Sequence, residues 1–350
     1  ADDTRAGLPE VDGIMGTGSY SEVVSVVEAV LAGDKPTRRG AISAPLYDTP
    51  RAVSTRPNWA YLRIAEGCDN CCAYCVIPSL RGKFRSRTKE SILEEARLLA
   101  ASGVKELIIV AQDITRYGID LYGKVCLTEL LKELCKLDFR WVRLHYLYPE
   151  LIDDELIDEI ASEDKIVKYL DIPIQHINDT ILRRMNRRGT GEEIRALFKK
   201  LRERIPGLVL RTSLITGLPG EGEAEFEELC DFLREAKIER AGVFPYSPEE
   251  GTPAALMPDR CSTEEAQRRA ELCMEIQAEI MDGFAETFIG RELDVLVMGR
   301  EPDGTPWGRS EYDSPDIDSR VIFSGDAAPG DMVRVRIDSV DDGELIGEQI

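Results

Sequence analysis

From Ala60 to about Ala285, six short β-rich runs alternate with helical stretches, and this alternation constrains the fold of the 350-residue chain more than any other feature. Repeated βα units lead to a parallel sheet or a barrel clothed in helices. The candidate strands are 61–65, 106–111, 141–146, 169–172, 209–215 and 240–245, which make an incomplete barrel. Between them Ile92, Leu93, Ala96 and Leu99 recur at helical spacing up to Gly103. Thr190 with Glu193 and Ser262 with Glu265 match the capping box that opens a helix.

After about Phe288 the pattern shifts to short alternating runs at 293–297, 321–323 and 332–337, separated by Gly, Pro and Asp turns, as in a small β-barrel or sandwich. This tail, 291–350, carries fifteen acidic residues against six Arg and no Lys, a formal charge of -9. The whole chain stands at -21, so its field repels phosphate backbones and favours a basic partner. No apolar run reaches the roughly eighteen residues that span a bilayer, and no secretory leader is visible, so a cytoplasmic location is expected. In a reducing compartment nine cysteines are not a disulfide framework.

Four of the nine, Cys68, Cys71, Cys72 and Cys75, fall together directly after the first candidate strand. The spacing Cys68-x3-Cys72-x2-Cys75 puts three thiolates on one tight loop, which can hold three irons of a 4Fe-4S cluster and leave the fourth open. Its place at the carboxyl end of a barrel strand is where such folds put chemistry. The spacing alone fits structural zinc as well, although only His145 and His176 exist as a fourth ligand and neither is near in sequence. Cys71 is the spare thiol.

The loop, with Tyr74 before its last cysteine, resembles the signature of radical S-adenosylmethionine (SAM) enzymes. Context narrows the resemblance to the methylthiotransferases: Glu66-Gly67-Cys68, Pro78-Ser79-Leu80-Arg81-Gly82, Arg85-Ser86-Arg87, Ala111-Gln112-Asp113 with Tyr117-Gly118, Asp171 through His176, Gly217-Leu218-Pro219-Gly220-Glu221 and Tyr246 through Thr252. The details look more like the branch acting on ribosomal protein uS12 than the tRNA-modifying branch. The fold so implied is a partial (β/α)6 TIM-type radical SAM barrel, 58–288, followed by an OB-like TRAM domain, 289–350. Residues 1–35 would be a remnant of the family's N-terminal domain and 36–57 a linker.

The resemblance implies a cluster on Cys68, Cys72 and Cys75. It implies SAM contacts from Tyr74, Gln112, Asp113, Gln175, Gly217 and Gly220. It implies reductive SAM cleavage to a 5′-deoxyadenosyl radical, hydrogen abstraction from the β-carbon of a uS12 aspartate, and insertion of a methylthio group, with electrons from a reducing donor. The family's second 4Fe-4S cluster sits on three cysteines of the N-terminal domain, and residues 1–67 contain none. The chain is therefore expected to cleave SAM and bind substrate without completing sulfur insertion. A tRNA methylthiotransferase and a zinc-stabilised interaction module are the alternatives. The basic runs Arg81, Lys83, Arg85, Arg87 and Arg183, Arg184, Arg187, Arg188 read as solvated faces or cofactor contacts. His176 reads as a packed residue.

Overall fold

The structure, a computed structural model, describes residues 2–43, 52–53, 55 and 58–350. Six strands, β1 (Trp59–Arg63), β2 (Glu106–Val110), β3 (Trp141–Leu144), β4 (Ile166–Asp171), β5 (Val209–Thr216) and β6 (Arg240–Pro245), pair in parallel in chain order as one curved sheet. Long helices α1 (Lys89–Ala101), α2 (Leu127–Leu134), α3 (Asp154–Ser162), α4 (Gly191–Arg204), α5 (Glu223–Ala236) and α6 (Thr263–Glu286) provide the helical cover. Alternation along the strands splits the side chains between two cores. Leu62, Leu107, Val142, Leu170 and Leu210 pack outward with Ile92, Leu130, Ile157, Ile194 and Leu229 of the helices. Trp59, Ile108, Trp141, Val167, Tyr169 and Val209 face the lumen. A parallel sheet buried on both faces needs such runs of apolar residues.

The capping boxes divide. Thr190 accepts from the Glu193 amide while the Glu193 carboxylate accepts from the Thr190 amide, the full box. Ser262 caps α6 through the Glu265 amide, but the Glu265 carboxylate is taken by Arg268 and Arg269 instead, because charge-assisted pairs one turn on outbid a neutral amide.

Five strands, β7 (Glu292–Arg300), β8 (Pro306–Arg309), β9 (Val321–Ser324), β10 (Met332–Asp341) and β11 (Glu344–Gln349), close a barrel in the order β7-β8-β9-β11-β10. The sequence reading found three of them. It passed over β11 although Asp342-Gly343, both at positive φ (46° and 75°), form the two-residue hairpin turn that announces it. At the other end of the chain a single 3-10 turn, Tyr20–Glu22, leads into a helix at Val23–Leu31, and two-residue strands Ile14–Met15 and Thr37–Arg38 pair in parallel. The expected linker 36–57 lies mostly outside the described residues. Among the described residues no helix is long and apolar enough to cross a membrane.

The small barrel stops the amino-terminal end of the sheet. Leu296 and Met298 of β7 join the lumen core, and the Asn58 amide donates to the Val297 carbonyl at 2.8 Å. At the join, Glu106 of β2 is fully buried between Arg143 of β3, at 2.6 Å, and Arg309 of β8. Burial pushes the Glu106 carboxyl up, but Arg309 and Arg143 outweigh it and hold the group below its ordinary range. Above this pair the β8–β9 connection climbs the lumen. Asp313 pairs with Arg240 at 2.7 Å, Asp318 accepts from the Tyr169 hydroxyl at 2.7 Å, and Ser314 Oγ meets His145 Nε2 at 3.1 Å.

Two predictions follow from this join. Glu106→Gln keeps the volume but leaves two buried guanidinium groups short of a counter-charge, and denaturant unfolding should show a loss of about 3–5 kcal/mol. His145 is pushed down to about 3 by burial and by Arg143 and Arg211. Its folded value lies below the unfolded one, near 6.5, so the stability it contributes is present above about pH 6.5 and is lost as pH falls towards 3. Thermal midpoints should therefore drop from pH 7 to 5, and His145→Gln should flatten that drop.

Candidate functional site

At the opposite, carboxyl-terminal end of the sheet, the cysteine loop is pinned from several sides. Ala65–Glu66 pairs with Arg85–Ser86, and Gly67 between this short ladder and Cys68 has φ 82°, with the position of an added Cβ only 2.2 Å from the Lys83 carbonyl. Only glycine fits there. The Cys68 amide donates to Gly82 O at 3.1 Å, Asp69 accepts from the Phe84 amide at 3.1 Å, and the Asn70 side-chain amide donates to Asp113 at 3.0 Å. Asn186 holds the Cys71 carbonyl at 2.9 Å. The Ala73 amide donates to Met185 O, and its carbonyl accepts from the Ala254 amide, each at 2.9 Å.

Cys68, Cys71, Cys72 and Cys75 line one cavity of about 480 Å³, together with Tyr74, Arg63, Gln112, Tyr146, Tyr148, Gln175, Arg187 and Ser213. The loops after β1, β2, β3 and β4 thus converge where the sequence placed the chemistry. Cys71, Tyr146 and Gln175 all have positive φ (50°, 63° and 72°), a concentration of strained non-glycine backbone typical of functional sites. Burial pushes the Cys68 thiol up to about 11 and raises Cys75. Cys72 has a polar shell: its Sγ lies 3.1 Å from the Tyr148 hydroxyl and 3.8 Å from an Arg187 nitrogen. Arg187 is buried, stacks 4.3 Å over the Tyr148 ring and donates to Pro173 O at 2.6 Å.

The predicted residues separate in space. Cys68, Cys72, Cys75, Tyr74, Gln112 and Gln175 surround the cavity. Asp113 does not line it: fully enclosed, it accepts from Thr115 at 2.5 Å and from Asn70, bracing the cysteine loop from below. Gly217 borders a neighbouring hollow with Cys261 and Ala266, and its φ of 75° and tight contact with α6 explain the glycine. Gly220, φ 89°, lies against the Arg184 side chain. His176 is packed, accepting from the Asn178 amide at 3.0 Å and lying 3.4 Å from Glu221. Of the basic runs, Arg187 alone is driven into the site. Tyr148 and Arg63 went unread, because single polar residues at strand ends carry no spacing signal.

The donor set fits an iron-sulfur cluster with a bound cofactor. Three thiols share one cavity, a cation attends one of them, and Gln112 Oε1 is enclosed there without a hydrogen-bond partner among the described residues, an acceptor held ready for an outside donor. Among the described residues no three His, Cys, Asp or Glu side chains converge on a single-ion site.

The radical SAM superfamily profile matches residues 62–233 and the TRAM domain profile residues 289–350. The ribosomal protein uS12 methylthiotransferase RimO of Caldanaerobacter subterraneus subsp. tengcongensis is 48% identical over 346 residues, covering 97% of this chain and 79% of that protein. The protein of the same description from Pelotomaculum thermopropionicum is 49% identical over 352 residues, 99% of this chain and 79% of its own. Among solved structures, the radical SAM methyltransferase TsrM of Kitasatospora setae with tryptophan and aza-SAM superposes with TM-score 0.52 at 19% identity, over 70% of this chain and 53% of that one. That likeness concerns the fold alone.

Asp113→Ala should lower the thermal midpoint and loosen iron retention while leaving the dissociation constant for SAM within about twofold, as expected of a brace; each lost buried hydrogen bond costs about 1–3 kcal/mol. A SAM affinity lost in proportion would make Asp113 a cofactor contact instead.

Proposed function

The chain belongs to the radical SAM methylthiotransferases, in the ribosomal protein uS12 (RimO) family, and from this premise we propose that it acts on an aspartate of uS12. Catalysis is assigned to residues 58–288 and substrate recognition to 289–350. The observation that carries the reading is the meeting of Cys68, Cys72 and Cys75 with the unsatisfied Gln112 acceptor in one cavity. The cysteines would hold a 4Fe-4S cluster, and together with SAM this group supplies reductive cleavage of SAM and removal of a hydrogen atom from the substrate.

The chain's own residues bind, orient and enclose. Gln112 donates through Nε2 to Glu66 at 3.3 Å, which fixes its amide so that Oε1 would accept from an amino or ribose hydroxyl group of SAM. Gln175, held at positive φ between the Ser213 carbonyl and the Ile215 amide, lines the same cavity from the loop after β4. Tyr148 and Arg187 contact Cys72 Sγ at 3.1 and 3.8 Å and would fix its orientation towards the cluster. The barrel stopper below the lumen keeps bulk water and stray hydrogen donors from a reactive intermediate. The auxiliary cluster and the sulfur step require cysteines that residues 1–67 do not carry.

Anaerobic reconstitution tests the reading. One cluster per chain is expected. Alanine at Cys68, Cys72 or Cys75 should each abolish it, with the absorbance near 400 nm, whereas Cys71→Ala should retain both. Reconstituted wild-type chain supplied with dithionite as electron donor should form 5′-deoxyadenosine from SAM. Zinc in place of iron, or a stable second cluster, would refute the assignment.

A further inference from the structure

The β8–β9 connection, Ser310 to Arg320, is held by groups that have no business on a free surface. Asp313 is buried between Arg240 and Ser310, Ser314 is buried against His145, and the Asp318 carboxylate takes the Tyr169 hydroxyl and the Ser314 amide. Asp313 and Asp318 are therefore structural anchors. Asp316 and Ile317 are different. Both are exposed, Ile317 by 54%, at the turn of a loop whose flanks are locked. Asp316 has φ 66°, a left-handed conformation that Asp and Asn tolerate best among residues with a side chain. Its carboxylate makes no ion pair or hydrogen bond among the described residues.

The direction of the climb places this tip. The anchors run from Arg240, at the start of β6, to His145, immediately beyond β3. Tyr146, the next residue, lines the cysteine cavity and is 47% exposed. Tyr61, in the middle of β1, feels burial first, then the Asp316 carboxylate and Tyr146, all raising its phenol above the ordinary range. Asp316 thus shares the lumen with Tyr61 and Tyr146, beneath the cavity. The other charges there are already matched: Arg63 with Glu66 at 2.5 Å and Arg211 with Asp171 at 2.7 Å.

We propose that Asp316, carried into the barrel by the C-terminal domain, is a specificity-determining residue that pairs with a Lys or Arg side chain flanking the target residue of a polypeptide substrate, with Ile317 as its apolar neighbour. The inference rests on the reading that the substrate is uS12, and it assigns to one residue what the acidity of the tail suggests only in bulk. An unpaired carboxylate on a rigid turn selects a cation at one position, whereas the distributed charge steers any basic chain. A phosphate backbone would be repelled.

The test measures binding of full-length uS12 to the full chain by anisotropy, at low and high salt. Asp316→Asn, which tolerates the same backbone, should weaken binding about tenfold, the worth of one charge-assisted contact, and reduce its salt dependence. Asp316→Lys should weaken it further and be rescued by one Lys→Glu or Arg→Glu change in uS12 close to its modified residue. Such rescue cannot come from a merely structural role. If wild type binds uS12 and Asp316→Asn binds equally well, the inference is overturned while the reading stands. If wild type fails to bind uS12, the reading falls and the inference with it. Tighter binding of tRNA than of uS12 by wild type would likewise overturn both.

Discussion

Enclosing Glu106 between Arg143 and Arg309 is the constraint on which the rest of the molecule depends. A carboxylate taken wholly out of water is tolerable only with cations in contact, and here one cation comes from the sheet and the other from the small barrel. Neither domain can satisfy the group alone. Arg143 is held further by the Tyr169 ring, 4.7 Å from its guanidinium, while both of its terminal nitrogens lack hydrogen-bond partners among the described residues. An open six-stranded sheet, which would otherwise leave its lumen wet, is thereby joined to a stopper at a fixed angle. The gain is specificity of docking more than net stability, since well-packed apolar residues could hold the same join at lower cost.

From that fixed join the active end follows by geometry. Parallel strands deliver their carboxyl-terminal loops to one rim, and the rim carries the strained residues Cys71, Tyr146 and Gln175. Such conformations persist only where the surroundings over-determine them. Here the surroundings are the hydrogen bonds from Asn186 to Cys71, from the Tyr146 amide to Asp171, and on both sides of Gln175. Asp171 serves two tasks, pairing Arg211 inside the lumen and pinning Tyr146 at its rim. The stopper and the rim are therefore linked through the lumen rather than merely attached to the same sheet.

Much of this was legible in the residues. Six βα units are a periodicity signal, and three cysteines at fixed spacing are a chemical one, so the fold and the place of the cysteine loop at the rim both emerged from the sequence. What was hidden depends on distance across the fold. Tyr148 and Arg187 reach Cys72 from 76 and 115 residues away; nothing local marks Tyr148, and the basic run around Arg187 does not single it out from its neighbours. Asp113 follows Gln112 directly, yet Gln112 lines the cavity while Asp113 caps the 3-10 turn Ile114–Arg116 and lies beneath the loop. Strand β8 contains Pro306 and Gly308, residues that argue against a strand until its partner is known; Gly308 is there because a Cβ would lie 2.4 Å from the Leu296 carbonyl.

The acidity of the C-terminal domain needs the same distinction between composition and place. Its excess charge is a true statement about the far field, but much of the acid is already spent on arginines: Asp294 on Arg140 and Arg334, Glu301 and Glu344 on Arg320, Asp326 on Arg300, Glu348 on Arg336, Asp313 on Arg240. Apart from the buried Asp313–Arg240 pair, these surface pairs contribute about 0–1 kcal/mol each and are screened within about 8 Å at physiological ionic strength, so they neither build a partner site nor strongly stabilise the barrel. A charge acts at contact range only if it is unpaired, rigid and shielded from salt. Rigidity and shielding both trace back to the lumen, because a loop anchored by buried ion pairs cannot swing to find a partner and must meet one already in position. The same burial that joins the domains therefore decides which carboxylates remain free to recognise a substrate.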